Sequence, residues 1–247
     1  MGQSLNDPVF LVEELPLGQT AVLGGAEGRH AARVRRMEPG QQIELSDGAG
    51  GLLRCTVNAV VDATLELVLH ERSFAVPPVP RLVVVQALAK GERGELAVEL
   101  MTEVGVDEVI PWAAARSVTR WHGERGDKGL RRWRSTAREA AKQSRRAWLP
   151  VIPPLHDTAA VATRIRSASA ALILHHPAAR PLSDVRLPAA GDVVLVVGPE
   201  GGLAPEELAA LADAGGVPCR LGPTVLRTST AGAAALAALS VALGRWS

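Results

Sequence analysis

A run of five apolar residues, Val193–Val197, leads directly into a glycine-rich loop, Gly198–Gly202, and this junction limits the possible folds more than any other part of the chain. An apolar run this continuous is typical of a parallel strand that is buried on both faces. Pro205 suits the first turn of a helix, and Glu206 and Glu207 suit its positive end. The segment therefore predicts a buried strand, a loop whose backbone can approach a ligand, and a helix.

The same alternation of buried strands and helices runs from Arg81 to the end of the sequence. It predicts an α/β domain with a parallel sheet that is covered by helices on both faces. Amphipathic or basic helices are predicted to begin near Gly94 and Gly129. The predicted strands are Leu82–Val85, Glu108–Ile110, Ala171–Leu174, Val193–Val197 and Pro218–Leu221.

The chain before Arg81 has a different pattern of apolar and polar residues. Short apolar runs are separated by turn residues, and apolar and polar residues alternate in Cys55–Val60 and Ala63–Leu69, which predicts a sheet with one buried face. Three prolines in Phe74–Pro80 favour an extended linker. We therefore predict a β-rich domain over residues 1–73, a linker over 74–80 and an α/β domain over 81–247.

The glycine-rich loop matches neither of the common nucleotide motifs, G-x-G-x-x-G and G-x-x-x-x-G-K-[ST]. This argues against a nicotinamide-dependent oxidoreductase. Glu200 inside the loop would repel a phosphate, so a neutral or cationic ligand is favoured. A turn with a purely structural role explains the loop about equally well.

Metal, disulfide and membrane signals are all weak. The neighbouring His175 and His176 would point to opposite faces of a strand, and Cys55 and Cys219 form no metal-binding or disulfide motif. A reducing, cytoplasmic location is expected. We expect no metal and no membrane span, because no apolar stretch reaches the roughly 20 residues that a bilayer requires.

The formal net charge is only +1, yet positive charge is concentrated in the middle of the chain. Arg116–Arg146 contains eleven basic and three acidic residues, a local net charge of +8, which suits RNA phosphates better than an ordinary solvated helix face. Four tryptophans in or beside this segment either stack on bases or pack in the core: Trp112, Trp121, Trp133 and Trp148. The predicted RNA-binding residues are Arg29, Arg33, Arg35, Arg36, Arg116, Arg120, Arg138, Arg145 and Arg146.

A second loop, Leu221–Ala231, follows the last predicted strand and opens an Ala-rich helix. Thr228, Ser229 or Thr230 is predicted to cap that helix. Arg227 precedes the cap, so its guanidinium is expected beside the loop, either in a site or simply in solvent.

These two loops and further stretches in the same order resemble the RsmE family of SPOUT methyltransferases. The resemblance covers nearly the whole chain, although Ser229 and Leu100 stand where the family often has Glu and Lys. The matching stretches are His30–Arg36 with Pro39-Gly40, Lys90–Arg93, Glu103–Pro111, Arg116–Val118, Arg138–Ser144, Gly198–Gly202, Leu221-Gly222 and Leu226–Thr228.

The resemblance implies an N-terminal PUA-like β-barrel and a methyltransferase domain that ends in a trefoil knot. It further implies methyl transfer from S-adenosylmethionine to N3 of a uridine in 16S ribosomal RNA of the small subunit, by a homodimer. Arg227 is the expected catalytic cation, and Glu139, Gln143 and Ser144 are expected in the substrate pocket. The implied cofactor-binding residues are His175, Val197, Gly198, Gly202, Leu221, Gly222 and Leu226.

Two other functions remain open from the residues alone. The basic clusters would serve a non-enzymatic RNA-binding assembly factor equally well, and a SPOUT methyltransferase that acts on another RNA would carry the same loops. Binding of S-adenosylmethionine separates the first alternative from an enzyme.

Overall fold

The structure, a computed structural model, describes residues 7–246 in two compact units. The first unit comprises the chain up to Pro77 together with Ala141–Leu149, and the second comprises Pro78–Ala140 and the chain from Pro150. The first unit thus includes a segment that the prediction placed in the second domain.

The first unit contains a five-stranded sheet in the order β1-β3-β4-β5-β2. Alternate residues of β4 are buried, as the alternating pattern predicts, and they pack with Phe10 and Ile43 in one core. Within the described residues, β1 pairs with β3 and β2 pairs with β5, so these two strands lie at the two ends of the strand order. The elements are β1 (Val9–Leu11), β2 (Thr20–Leu23), α1 (Gly25–Arg29), a π-helical turn (His30–Val34), β3 (Gln42–Ser46), β4 (Gly51–Val61) and β5 (Thr64–Phe74).

Ala141–Leu149 is held in the first unit by backbone and side-chain contacts. Leu149 N–H donates to Gly48 O at 2.9 Å, and the indole N–H of Trp148 donates to Ala75 O at 2.8 Å. A Cβ built on Gly50 would lie 2.6 Å from the Trp148 ring, so the ring requires glycine there. Trp148 also meets Phe74 edge to face, with ring centroids 5.8 Å apart.

The second unit contains a five-stranded, fully parallel sheet in the order β10-β8-β9-β6-β7. Leu82 and Val84 face one core with α2, α3 and α6, while Val83 and Val85 face another with α4 and α5. This confirms the predicted sheet covered on both faces. The elements are β6 (Arg81–Ala87), α2 (Arg93–Val104), β7 (Glu108–Trp112), α3 (Gly123–Gln143), α4 (Thr158–Arg166), β8 (Ala170–Leu174), a 3-10 turn (Leu182–Asp184), β9 (Asp192–Val197), α5 (Pro205–Asp213), β10 (Val217–Cys219) and α6 (Thr228–Ala242).

Several element boundaries differ from the prediction, and two of these differences are the most informative. The basic helix begins at Gly123, six residues before the predicted start, and Gly129 within it makes room for the Trp121 ring. The last strand ends at Cys219, which leaves Leu221 in the loop.

Cys55 and Cys219 are free and buried, and burial raises the pKa of these thiols to about 12 and about 11. Between residues 7 and 246, no helix combines the length and apolar character that crossing a membrane requires. Over the same range, no cluster of His, Cys, Asp and Glu has the grouping of a metal site.

Candidate active site

The carboxyl ends of three neighbouring strands, β10, β8 and β9, open onto one cavity of about 520 Å³. This is the edge of a parallel sheet at which α/β proteins bind ligands, and the volume suits a small molecule. The His175 N–H donates to Cys219 O at 2.9 Å, which joins the loops after β8 and β10.

The cavity brings together every residue that the resemblance assigns to the cofactor, although these residues come from three separate loops. Arg227 lines the same cavity with an exposed side chain, as expected of a residue beside the loop. The lining includes His175, Val197, Gly198, Gly202, Leu221, Gly222 and Leu226. His176 also lines it, because β8 ends at Leu174 and the two histidines lie beyond the strand, not on opposite faces of it.

Two glycines give the cavity an open backbone wall. Gly202 has a φ of +70°, a conformation that favours glycine, and its N–H closes a turn on Pro199 O at 2.9 Å. A Cβ built on Gly222 would meet no protein atom within 4 Å. These positions leave room against the backbone for a ligand such as S-adenosylmethionine.

Pro205 begins α5, as predicted, but Glu207 does more than balance the helix end. Its carboxylate is buried and accepts from Ala115 N at 2.7 Å, Thr158 Oγ1 at 3.0 Å and Ala204 N at 3.3 Å. The Glu207 carboxylate therefore links three segments of the second unit, at Ala115, at Thr158 and at Ala204.

The predicted threonine or serine cap of α6 is wrong. The residue before the helix is Arg227, whose side chain makes no capping hydrogen bond. Thr228 is instead the first helical residue, and its hydroxyl donates to Gly198 O at 2.8 Å. The hydroxyl is used to join the two loops of the cavity, so the helix end is left without a side-chain cap.

Three charged residues at the cavity were not predicted as its lining. Glu200 accepts from Lys90 N at 3.0 Å and lies 3.6 Å from the Arg93 guanidinium. Arg116, predicted to bind RNA, donates to Gly201 O at 3.3 Å. Arg93 and Arg116 are far from the loop in sequence, so no local pattern could place them there.

A second cavity, of about 430 Å³, lies within the first unit and joins residues that were predicted for separate roles. It is lined by Arg35 and Arg145, which were predicted to bind RNA, and by Gln143, which was predicted for the substrate pocket. Lys142 also lines it, with its amine 3.1 Å from both carboxylate oxygens of Glu27.

The remaining predicted residues have mixed environments. Arg29, Arg33 and Arg36 are exposed, and Arg138 and Arg146 are half-buried. Arg120 donates to the carbonyls of Ala114 and Ala115, both at 2.8 Å, and so braces its own loop. Glu139 is exposed and is not among the lining residues of the cavity at the ends of β8, β9 and β10, while the Ser144 hydroxyl donates to Ala141 O at 3.4 Å.

The tryptophans mainly pack within the protein. Trp112 and Trp133 are buried, which excludes them as stacking surfaces. Trp121 is half-buried and meets Trp133 edge to face at 5.1 Å. The core alternative therefore holds for these side chains.

Comparison with known proteins agrees with this fold and site. A family model described as an RNA methyltransferase domain matches residues 77–240, and one described as an RNA methyltransferase PUA domain matches residues 23–66. Together with the parallel sheet and its glycine-lined cavity, these matches define the class as RNA methyltransferases.

Curated relatives narrow the class. The ribosomal RNA small subunit methyltransferase E of Mycobacterium bovis is 51% identical, covering 96% of this chain and 93% of the relative. That of Bacillus subtilis is 30% identical, with 93% and 91% covered. The chain belongs to the ribosomal RNA small subunit methyltransferase E family.

Solved structures show the same architecture. The enzyme of this family from Neisseria gonorrhoeae, bound to S-adenosylmethionine, superposes with a TM-score of 0.85 at 28% identity, covering 96% of this chain and 98% of that one. A protein from Legionella pneumophila in complex with the same cofactor has the same score, identity and coverage.

Proposed function

We propose that the protein transfers a methyl group from S-adenosylmethionine to N3 of a uridine in 16S ribosomal RNA of the small subunit. The observation that carries the proposal is the convergence of the seven expected cofactor residues on one cavity that Arg227 also lines. In the loops after β9 and β10, the backbone at Gly202 and Gly222 is open to a ligand.

S-adenosylmethionine would supply an electrophilic methyl group on a sulfonium. The protein must orient the uridine and favour its reactive, deprotonated imide. Arg227 is too basic to remove the proton, but its guanidinium is suited to stabilise the negative charge that gathers on the uracil carbonyl oxygens.

The basic residues of both units are proposed to hold the RNA. Arg35 and Arg145 line the cavity of the first unit, beside the amide of Gln143, and are suited to phosphate. Arg29, Arg33 and Arg36 add exposed positive charge to the same unit.

We also propose that the protein forms a homodimer through its second unit. A trefoil knot is proposed within the same unit. Ala234, Ala238 and Val241 form an exposed apolar stripe on α6 that is suited to close packing against a second copy. The position of β10 beside β8, and not beside β9, accords with a chain that doubles back in the manner of a knot. The proposed substrate places the protein in the cytoplasm.

The test combines cells and purified protein. Deletion of the gene should remove one methyluridine from 16S ribosomal RNA, as measured by mass spectrometry, and the wild-type protein should restore it. Calorimetric titration should show binding of S-adenosylmethionine. RNA binding without cofactor binding would support the assembly-factor alternative, and an unchanged 16S RNA would redirect the proposal to another RNA.

A further inference from the structure

Gln86 is a fully buried polar side chain near the end of the apolar strand β6. Burial of an amide costs free energy unless its polar atoms are hydrogen-bonded, so such a residue in a sheet core calls for an explanation. Gln86 pairs in register with Val197, the residue immediately before the Gly198 loop. Its place in the sheet is therefore directly behind the cavity.

The Gln86 amide begins a chain of hydrogen bonds that leads to both loops of the cavity. Its Nε2 donates to Ala87 O at 3.1 Å and to the Thr228 hydroxyl at 3.0 Å. That hydroxyl in turn donates to Gly198 O at 2.8 Å. Thr228 is also buried, so these bonds are shielded from water.

The chain of bonds passes through Thr228, the residue directly after Arg227. Helix α6 is built on the Arg227 carbonyl, which accepts from Thr230 N at 3.0 Å and from Ala231 N at 2.9 Å. Since no side chain caps this helix, the Thr228 hydroxyl is what joins its first turn to the neighbouring loop.

We propose that Gln86 and Thr228 are positioning residues that hold the backbone of Arg227 in register with the Gly198 loop. The inference rests on the proposed function, in which Arg227 acts on the uracil and Gly198 lies against the cofactor. In-line methyl transfer requires the two reactants to be aligned, and a displacement of about 1 Å can slow a reaction about 100-fold.

Thr228→Val tests the proposal, because it removes the hydroxyl and nearly preserves the volume. Single-turnover methylation should slow by about 10- to 100-fold, while Thr228→Ser should stay within about threefold of wild type. Thr102→Val is the matched control, since the Thr102 hydroxyl is also buried but bonds to Val98 O within α2. A Thr228→Val protein as fast as wild type would overturn the proposal.

A double-mutant cycle separates positioning from a general structural effect. If Thr228 acts through Arg227, then Thr228→Val should slow the Arg227→Ala protein by less than about twofold. Both variants should recover activity in part at high pH, because both weaken stabilisation of the same imide anion. Multiplicative losses in the cycle would overturn the proposal.

Two measurements do not depend on activity. Hydrogen exchange at the Thr230 and Ala231 amides should accelerate in Thr228→Val, because these amides bond to the Arg227 carbonyl. The dissociation constant for S-adenosylmethionine should change by less than about fivefold. A loss of cofactor affinity as large as the loss of rate would overturn positioning in favour of a binding role.

Gln86→Leu repeats the test from the other end of the hydrogen-bond chain if Thr228→Val does not fold. It should slow single-turnover methylation and accelerate exchange at the same amides, and wild-type values for both would overturn the proposal. Wild-type protein that does not methylate RNA at all would refute the proposed function, whereas active wild type with unaffected variants would refute only the role of Gln86 and Thr228.

Discussion

The guanidinium of Arg227 is exposed, whereas its backbone is held in place by the start of α6 and by the Gly198 loop. The side chain lines the cavity, and the neighbouring Thr228 is bonded to Gly198. A charge in a fixed position needs little reorganisation during the reaction, which is why such charges stabilise transition states more strongly than mobile ones do.

For Arg227→Ala we expect single-turnover methylation to slow about 100- to 1,000-fold, corresponding to about 2.7 to 4 kcal/mol in the transition state. Affinity for S-adenosylmethionine and folding should be nearly normal, and higher pH should partly restore the rate because hydroxide can form the imide anion. Arg186→Ala, an exposed arginine that lines neither cavity, is the control. Full activity of Arg227→Ala would remove Arg227 from catalysis.

Glu44 in the first unit provides a prediction about stability. Burial raises the pKa of its carboxyl group, and the nearby Arg54 offsets this only in part. The raised pKa means that the folded state favours the protonated form, so this contribution to stability is present at low pH and is lost as the pH rises through the folded pKa.

Glu44→Gln should therefore unfold at a higher temperature than wild type at pH 7, and the difference should shrink as the pH falls below 4.5, the ordinary pKa of a glutamate side chain. Thermal unfolding followed by circular dichroism across this range measures both effects. A variant that is less stable than wild type at pH 7 would show that the Arg54 interaction outweighs burial.

At the scale of elements, the loops after β8, β9 and β10 form the site, and their glycines differ in conformation. Gly202 needs its positive φ, whereas Gly222 has no such constraint and faces open space. The same substitution at the two positions should therefore separate backbone strain from loss of ligand space.

Gly222→Val should weaken S-adenosylmethionine binding with little change in melting temperature, because its side chain enters space that no protein atom fills. Gly202→Val should lose binding as well as stability, since a left-handed backbone costs roughly 1–2 kcal/mol for a residue with a Cβ. Calorimetry and thermal unfolding of both variants check this. Normal binding by Gly222→Val would exclude the backbone at Gly222 from the cofactor site.

The end of α3 and the segment after it should contribute to RNA affinity through charge. Arg145→Glu should weaken RNA binding at low salt. The slope of log affinity against log salt should become shallower by the amount that corresponds to the loss of about one or two phosphate contacts. Arg146 is half-buried, so Arg145 should account for most of the effect of reversing both charges. Arg186→Glu is the control, and equal slopes for the two variants would remove Arg145 from the RNA surface.

Local signals in the sequence predicted much of the site but not its connections. A strand, a glycine loop and Pro205 are adjacent in sequence, so their arrangement could be predicted. The bond from Gln86 to Thr228 spans 142 residues, and the pairing of Arg93 with Glu200 is also long-range in sequence. Such contacts depend on strand order, which local periodicity does not encode.

At the scale of the whole molecule, the chain is not divided into its two units at the prolines of residues 74–80 alone. The change in the pattern of apolar residues near residue 77 was visible in the sequence, but the inclusion of Ala141–Leu149 in the first unit was not. That segment follows a continuous helical pattern, and its hydrogen bonds and its packing against Gly48, Gly50 and Phe74 assign it to the first unit.

Trp148→Ala should destabilise the first unit by roughly 2 to 3 kcal/mol, somewhat less than the roughly 3 to 5 kcal/mol typical of a fully buried aromatic side chain. The half-buried ring loses its contacts with Phe74 and Gly50 and its hydrogen bond to Ala75 O. Denaturant unfolding measures the loss, and Trp148→Phe should recover the packing part of it. A change below about 0.5 kcal/mol would mean that the segment is not needed for stability.

The divided first unit also sets an order of events during translation. Its last strand, β5, ends at Phe74, yet Trp148 is synthesised more than 70 residues later. At a translation rate of about 5 to 20 residues per second, roughly 4 to 15 s pass between the synthesis of β5 and the synthesis of that indole ring. Throughout this interval Phe74 and Gly50 lack the indole ring that contacts both of them in the folded unit.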